Sequence, residues 1–195
     1  YANEISGGYS PKVYNFAIKI VPYLLKAILV NEPFWKLFSK KGKEKINNNI
    51  EISGPLDKIL HLSKIGTLIV TPTHQSNFDS IIIGYSTFIT GLPPLIYGAG
   101  LNLFTNPVLS YMMTNLGAYK VDREKKNDLY KDVLKNYASV SLEYGYHNLF
   151  YPGGTRSRSG KIEEQLKLGL LGSGLSTFIK GAKEGKKKNI YVIPC

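Results

Sequence analysis

From residue 66 onward, short apolar runs alternate with longer stretches of mixed polarity. The runs at 67–71 (TLIVT), 95–98 (LIYG), 118–121 (AYKV), 147–151 (HNLFY) and 189–193 (NIYVI) are of strand length and rich in β-branched and aromatic residues. The intervening 78–89, 106–115, 126–144 and 165–183 have the length and periodicity of helices. Gly145 follows the third of these as a C-terminal cap. Strand and helix in regular alternation predict an α/β domain, a central sheet flanked by helices. At 195 residues the chain has room for one such domain and little for a second.

The first 50 residues have a different character. In PKVYNFAIKIVPYLLKAILV, residues 11 to 30, Lys12, Lys19 and Lys26 recur at a spacing of seven and share one helical stripe with Asn15. The pattern predicts an amphipathic helix, kinked at Pro22. It suits a helix that covers the domain core or one that lies in a membrane interface with its lysines at the headgroups. Charges interrupt it too often for a transmembrane span. The following NEPFWKLFSKKGKEKINNN mixes Phe34, Trp35 and Phe38 with lysines, a composition suited to an anionic surface. Residues 1–50 are therefore expected to form an amphipathic, membrane-proximal segment, and 51–195 the α/β domain. The sequence begins at Tyr1 and ends at Cys195, directly after a strand, so truncation at the C-terminus is expected, and no signal-peptide pattern opens it.

A net charge of +11 points to anionic partners, a membrane or a phosphorylated small molecule. No nucleic-acid-binding motif accompanies the charge, so nucleic acid is not an expected partner. One cysteine allows no internal disulfide, and the scattered His61, His74 and His147 lack the carboxylate or thiolate company of a metal site, so no metal is expected.

Chemistry concentrates where strands end. Strand 67–71 runs into TPTHQSNFDS, which delivers His74 to the carboxyl edge of the sheet, where α/β proteins bind ligands. Asn77 is a suitable N-cap for the apolar helix that follows, and Asp79 falls in its first turn. Within one helix, side chains five residues apart diverge by about 140°; across a strand-to-helix corner they can meet. A turn histidine followed by a carboxylate that favours a helix N-terminus is the plainer reading of the pair. The second cluster, FYPGGTRSRSGK at 150–161, follows a strand with two glycines, hydroxyls, Arg156, Arg158 and Lys161. Glycines allow close backbone approach to an anion, and guanidinium groups bind phosphate bidentately. The spacing is not that of a Walker loop, and a basic surface loop is the plainer alternative. A third piece, LGAYKVDR, ends a strand in Asp122 and Arg123.

In this order the pieces resemble the glycerolipid acyltransferase superfamily over roughly residues 60–195. HQSNFD matches its histidine–four residues–aspartate motif, GAYKVDR its glycine-strand-arginine motif, YPGGTRSRSG its proline–glycine turn into arginine, and VIP its closing apolar strand. One position departs: Gly153 stands where the family usually has glutamate, so no role of that glutamate is carried over. The resemblance implies an O-acyltransferase of phospholipid synthesis with no cofactor, using acyl-CoA or acyl carrier protein as co-substrate. His74 would be the general base and Asp79 its orienting partner. Arg123, Gly154, Thr155, Arg156, Arg158 and Lys161 would bind the phosphorylated glycerol acceptor. TRSRSGK and KKNDLYKDVLKNY resemble the glycerol-3-phosphate branch, whereas VDR and PGGTRS lean toward the lysophosphatidate branch; an inactive membrane module with the same fold is a further alternative. The resemblance also implies membrane association, through the N-terminal segment, with the site on the cytoplasmic face where thioester carriers reside.

Overall fold

The computed structural model of the chain describes residues 1–30, 50–76, 78–154, 157, 166, 168–186 and 189–195. Five strands, β1 (Gly66–Thr71), β2 (Ile96–Gly100), β3 (Ala118–Val121), β4 (Asn148–Leu149) and β5 (Asn189–Pro194), form one sheet in the order β3-β2-β4-β1-β5. Every pairing in it is parallel. The helices are α1 (Ala2–Ile5), α2 (Pro11–Val30), α3 (Leu56–Ile65), α4 (Asp79–Ile89), α5 (Pro107–Asn115), α6 (Asp128–Glu143) and α7 (Gly169–Lys183). The expected α/β class and all five strands are present, with β4 shorter than the expected 147–151. Its ladder gives way at residue 151 to a turn in which Pro152 takes the second position and Gly154 N–H bonds Tyr151 O at 3.0 Å.

Alternation along the strands divides the core into two layers. Leu68, Val70 and Leu149 face one way and pack with Leu95, Ile83 of α4, and Ile59 and Leu62 of α3. On the opposite face, Ile69 approaches α7 so closely that a Cβ on Gly174 would lie 2.5 Å from its Cδ1. Thr67 Oγ1 donates to Leu142 O of α6 on that side, at 3.4 Å. Helix α6 ends as expected at Gly145, whose φ of +86° lets Gly145 N–H and Tyr146 N–H bond the carbonyls of Leu142 and Ser141.

The strand order explains which helix lies where. The connections β1→β2 and β2→β3 run in one direction along the sheet, and they carry α4 and α5, both of which pack against α2. The connections β3→β4 and β4→β5 run back, and they carry α6 and α7, which pack against each other. A uniform crossover hand requires opposite directions to occupy opposite faces. As a result β1 and β4 are neighbours whose chains depart to opposite faces, and the crevice outside their carboxyl ends is the position where such sheets take ligands.

The N-terminal helices pack into this frame. Ile5 of α1 is fully buried with Tyr119 and Tyr130. Helix α2 runs continuously through Pro22 and lays Val13, Ala17 and Leu25 inward. The expected lysine stripe holds for Lys12 and Lys19, which are exposed, and fails for Lys26, which is only 4% exposed. Lys26 follows Leu25 in the part of α2 that docks along α4, where Leu25 and Val21 meet Tyr85, Ile81 and Ile82. No helix among the described residues is long and apolar enough to cross a membrane.

Candidate active site

The corner between β1 and α4 builds the site from six residues of chain. Asp79 is the first residue of α4, and its Oδ2 collects three donors: His74 Nδ1–H at 2.9 Å, Gln75 N–H at 2.7 Å and Ser76 N–H at 2.8 Å. The peptide thus wraps round the carboxylate, and the histidine comes with it. Burial would raise the Asp79 carboxyl, but the Ser76 N–H, His74 and the Gln75 N–H outweigh it and hold the group below the usual aspartate range. Asp79 is therefore a carboxylate at neutral pH and only accepts. Nδ1 of a neutral His74 must carry the proton, which leaves Nε2 as the basic nitrogen. Both side chains keep 18% of their surface exposed, open enough for a substrate to reach the ring. The expected N-cap, Asn77, lies outside the described residues; in the structure Phe78 occupies the cap position, its N–H bonded to Ser76 Oγ at 3.2 Å.

The second loop comes alongside because β4 pairs with β1. Ser157 N–H bonds His74 O at 2.8 Å, and Phe150 N–H bonds Val70 O at 2.9 Å. Gly154 closes the intervening turn with φ +68°, a conformation suited to glycine. Thr155, Arg156, Arg158 and Lys161 lie outside the described residues. Arg123 is exposed at the end of β3, on the same carboxyl edge. Three strand spacings, about 14 Å, separate its strand from β1.

Two contacts at the site carry no sequence signature. The Tyr151 ring stacks on the His74 ring, centroids 4.1 Å apart and planes 24° from parallel. The Tyr151 hydroxyl in turn bonds Ser80 Oγ at 3.0 Å. Finding these residues required the pairing of β4 with β1; the one available signal was an aromatic residue at a strand end, immediately before the PGG turn. His147 serves the sheet instead, since it is buried at the start of β4 and its Nδ1 accepts the Leu68 N–H at 2.9 Å.

Beneath the site is an apolar cavity of about 140 Å3 between α2, α4 and the sheet, lined by residues that include Tyr14, Ala17, Gly84, Tyr97 and Leu149. Ser80 also lines it, and so connects the cavity to the Tyr151–His74 stack. A Cβ added to Gly84 would meet nothing within 4 Å.

Glycerol-3-phosphate acyltransferase of Pseudomonas aeruginosa (strain LESB58) is 25% identical over 184 residues, which cover 94% of this chain and 20% of that protein. The enzyme of the same name from Pseudomonas savastanoi pv. phaseolicola (strain 1448A / Race 6) is 27% identical with the same coverage. The chain thus spans 20%, about a fifth, of the length of these relatives. The crystal structure of the 1-acyl-sn-glycerophosphate (LPA) acyltransferase from Thermotoga maritima superposes with a TM-score of 0.43 at 17% identity, over 85% of this chain and 67% of that one. The acyltransferase family itself matches residues 39–195, a span that holds both the His74–Asp79 corner and the loop after β4: the chain belongs to the acyltransferase family.

Proposed function

We propose that this chain transfers a fatty acyl group from a thioester, acyl-CoA or acyl carrier protein, to the hydroxyl of glycerol-3-phosphate, a step of phospholipid synthesis. The observation that carries the reading is the His74–Asp79 pair at 2.9 Å, set in the crevice beyond β1 and β4. An alcohol is a weak nucleophile at neutral pH and needs a base within hydrogen-bond reach. His74 Nε2 takes the hydroxyl proton as the oxygen attacks the thioester carbonyl. Asp79, bonded to Nδ1, holds the ring in that tautomer and stabilises the imidazolium, the part an aspartate plays in a serine protease triad. As the tetrahedral intermediate collapses, the C–S bond breaks and the imidazolium returns its proton to the departing thiolate. The attacking hydroxyl belongs to the substrate, so no acyl-enzyme forms.

Acceptor binding falls to the loop after β4. Ser157, whose N–H is bonded to the His74 carbonyl, is flanked in sequence by Arg156 and Arg158, and Thr155, Lys161 and Gly154 belong to the same stretch. A phosphate held there orients its glycerol hydroxyl toward the base, and positioning of this kind lowers a barrier by several kcal/mol. Arg123 would contribute to the electrostatic attraction of the same edge. The apolar cavity beneath Ser80, at about 140 Å3, is assigned to one stretch of the acyl chain rather than its whole length. The names of the two relatives favour glycerol-3-phosphate as acceptor, and membrane lipids, met at the cytoplasmic face, are the proposed surroundings of substrate and product.

The test supplies labelled palmitoyl-CoA with glycerol-3-phosphate or, separately, with lysophosphatidate, and compares the full reading frame with its His74→Ala variant by lipid chromatography. Lysophosphatidate formed from the first acceptor and reduced about 10²- to 10⁴-fold in the variant is the expected result. Phosphatidate from the second acceptor alone would move the chain to the lysophosphatidate branch. Turnover that survives His74→Ala, or no product with either the CoA or the carrier-protein thioester, would overturn the reading.

A further inference from the structure

We propose that Tyr151 is a positioning residue for His74, held in place by Ser80, so that the first turn of α4 sets the attitude of the base twice. This rests on the reading of His74 as the general base. The hydrogen bond from Nδ1 to Asp79 fixes one direction in the plane of the imidazole. It leaves the ring able to tip about the N–H···O axis, and tipping sweeps Nε2 through an arc. A base that must meet a hydroxyl within about 3 Å loses efficiency quickly under such motion. The face of the ring therefore needs its own support, and Tyr151 supplies it at a centroid distance of 4.1 Å and an interplanar angle of 24°.

Tyr151 is itself restrained. Its hydroxyl bonds Ser80 Oγ at 3.0 Å, and Ser80 directly follows Asp79 in the chain. Asp79, Ser80, Tyr151 and His74 close a ring of contacts that bridges β1, α4 and the end of β4. Burial pushes the Tyr151 hydroxyl up to about 12, against the lowering influence of Ser80, so the stacked ring is a neutral phenol. Tyr151 also begins the turn closed by Gly154 N–H, and Ser157 N–H beyond it bonds the His74 carbonyl.

An aromatic residue at a strand end also fills core, and Tyr151 packs against the Leu68, Val70, Leu95 and Leu149 cluster. The experiment separates the two roles with Tyr151→Leu, which keeps apolar volume and loses the stack, and Tyr151→Phe, which keeps the stack and loses the Ser80 bond. The first readout, independent of turnover, is solvent exchange of the His74 Nδ1–H by NMR, with the resonance assigned by its absence in His74→Ala. Exchange at least tenfold faster in Tyr151→Leu, and faster than wild type by a smaller factor in Tyr151→Phe, which keeps the stack and frees it from Ser80, is expected. The second is steady-state kinetics with palmitoyl-CoA and glycerol-3-phosphate: kcat falls at least tenfold in Tyr151→Leu while the acceptor KM holds, and Tyr151→Phe restores most of the loss. Ser80→Ala combined with Tyr151→Phe should do no more than either alone, since both remove the same bond. Wild-type exchange in a folded Tyr151→Leu overturns the proposal. So does wild-type kcat in that variant when His74→Ala is inactive. Turnover retained in His74→Ala would instead condemn the base assignment and leave the exchange data to judge the stack.

Discussion

At the scale of single residues, Asp79 shows how one carboxylate can organise both backbone and chemistry. The Gln75 and Ser76 amides would bind it whether or not His74 did, so the aspartate shapes the corner first and orients the imidazole as part of that shape. The folded state holds its carboxyl below the usual range. It follows that its charged form stabilises the fold at pH values above the unfolded pKa of about 4, and that this contribution is lost as pH falls through the lower folded value. Asp79→Asn should therefore lower the melting temperature at pH 6, with the difference from wild type shrinking steadily as the pH is taken toward 2. Parallel curves over that range would show that the carboxylate charge does not hold the corner. The pair was legible in the sequence because its geometry is local: a strand end, a turn and a helix start within nine residues. Tyr151 and Ser80 were not, because their meeting depends on which strand lies beside β1, a fact of long-range pairing that no local pattern encodes.

At the scale of elements, the same distinction applies to the sheet. Alternating apolar runs and helical periodicity foretold five strands and their intervening helices, since each depends on a few neighbouring residues. The order β3-β2-β4-β1-β5 was not foretold, and it is the order that creates the crevice. Helix α4 shows what the order accomplishes. Its first turn presents Asp79 to His74 and Ser80 to Tyr151, and one turn further on Gly84 lines the apolar cavity. Glycine inside a helix costs about 1 kcal/mol relative to alanine, and a Cβ there would find open space, so packing does not account for the choice. If the cavity takes the acyl chain, Gly84→Leu should fold at least as well as wild type and shift donor preference from palmitoyl-CoA toward decanoyl-CoA. The ratio of kcat/KM values should change by at least tenfold, in keeping with the roughly 10- to 200-fold effect of a methylene in a tight apolar site. An unchanged ratio in the folded variant would place the chain elsewhere.

At the scale of the whole molecule, α2 serves two surfaces. Its inner face completes the core through Val13, Ala17 and Leu25, while Phe16, Ile20 and Leu24, four residues apart, form an outer stripe that is 55%, 41% and 38% exposed. Lys12 and Lys19 are exposed on the same helix. The neighbouring α5 exposes Val108, Leu109 and Tyr111, and the chain carries +11 overall. Apolar side chains exposed on two adjacent helices beside cationic residues suit the interface of an anionic bilayer. Deleting α1 and α2 would be a poor test, since it also strips Ile5, Val13 and Leu25 from the interior. The double variant Phe16→Glu, Ile20→Glu changes only side chains that already meet solvent, so its folding should be intact. Each residue has about half of its surface left to bury, which at 1.5–3 kcal/mol for a full side chain amounts to roughly 1.5–3 kcal/mol for the pair. Partitioning onto vesicles of mixed zwitterionic and anionic lipid should therefore fall about 10- to 150-fold by sedimentation. Wild-type binding should itself weaken when the ionic strength is raised to 1 M, where the Debye length drops to about 3 Å and the lysine contribution is screened. Undiminished binding by the double variant would show that the outer stripe of α2 faces water rather than lipid.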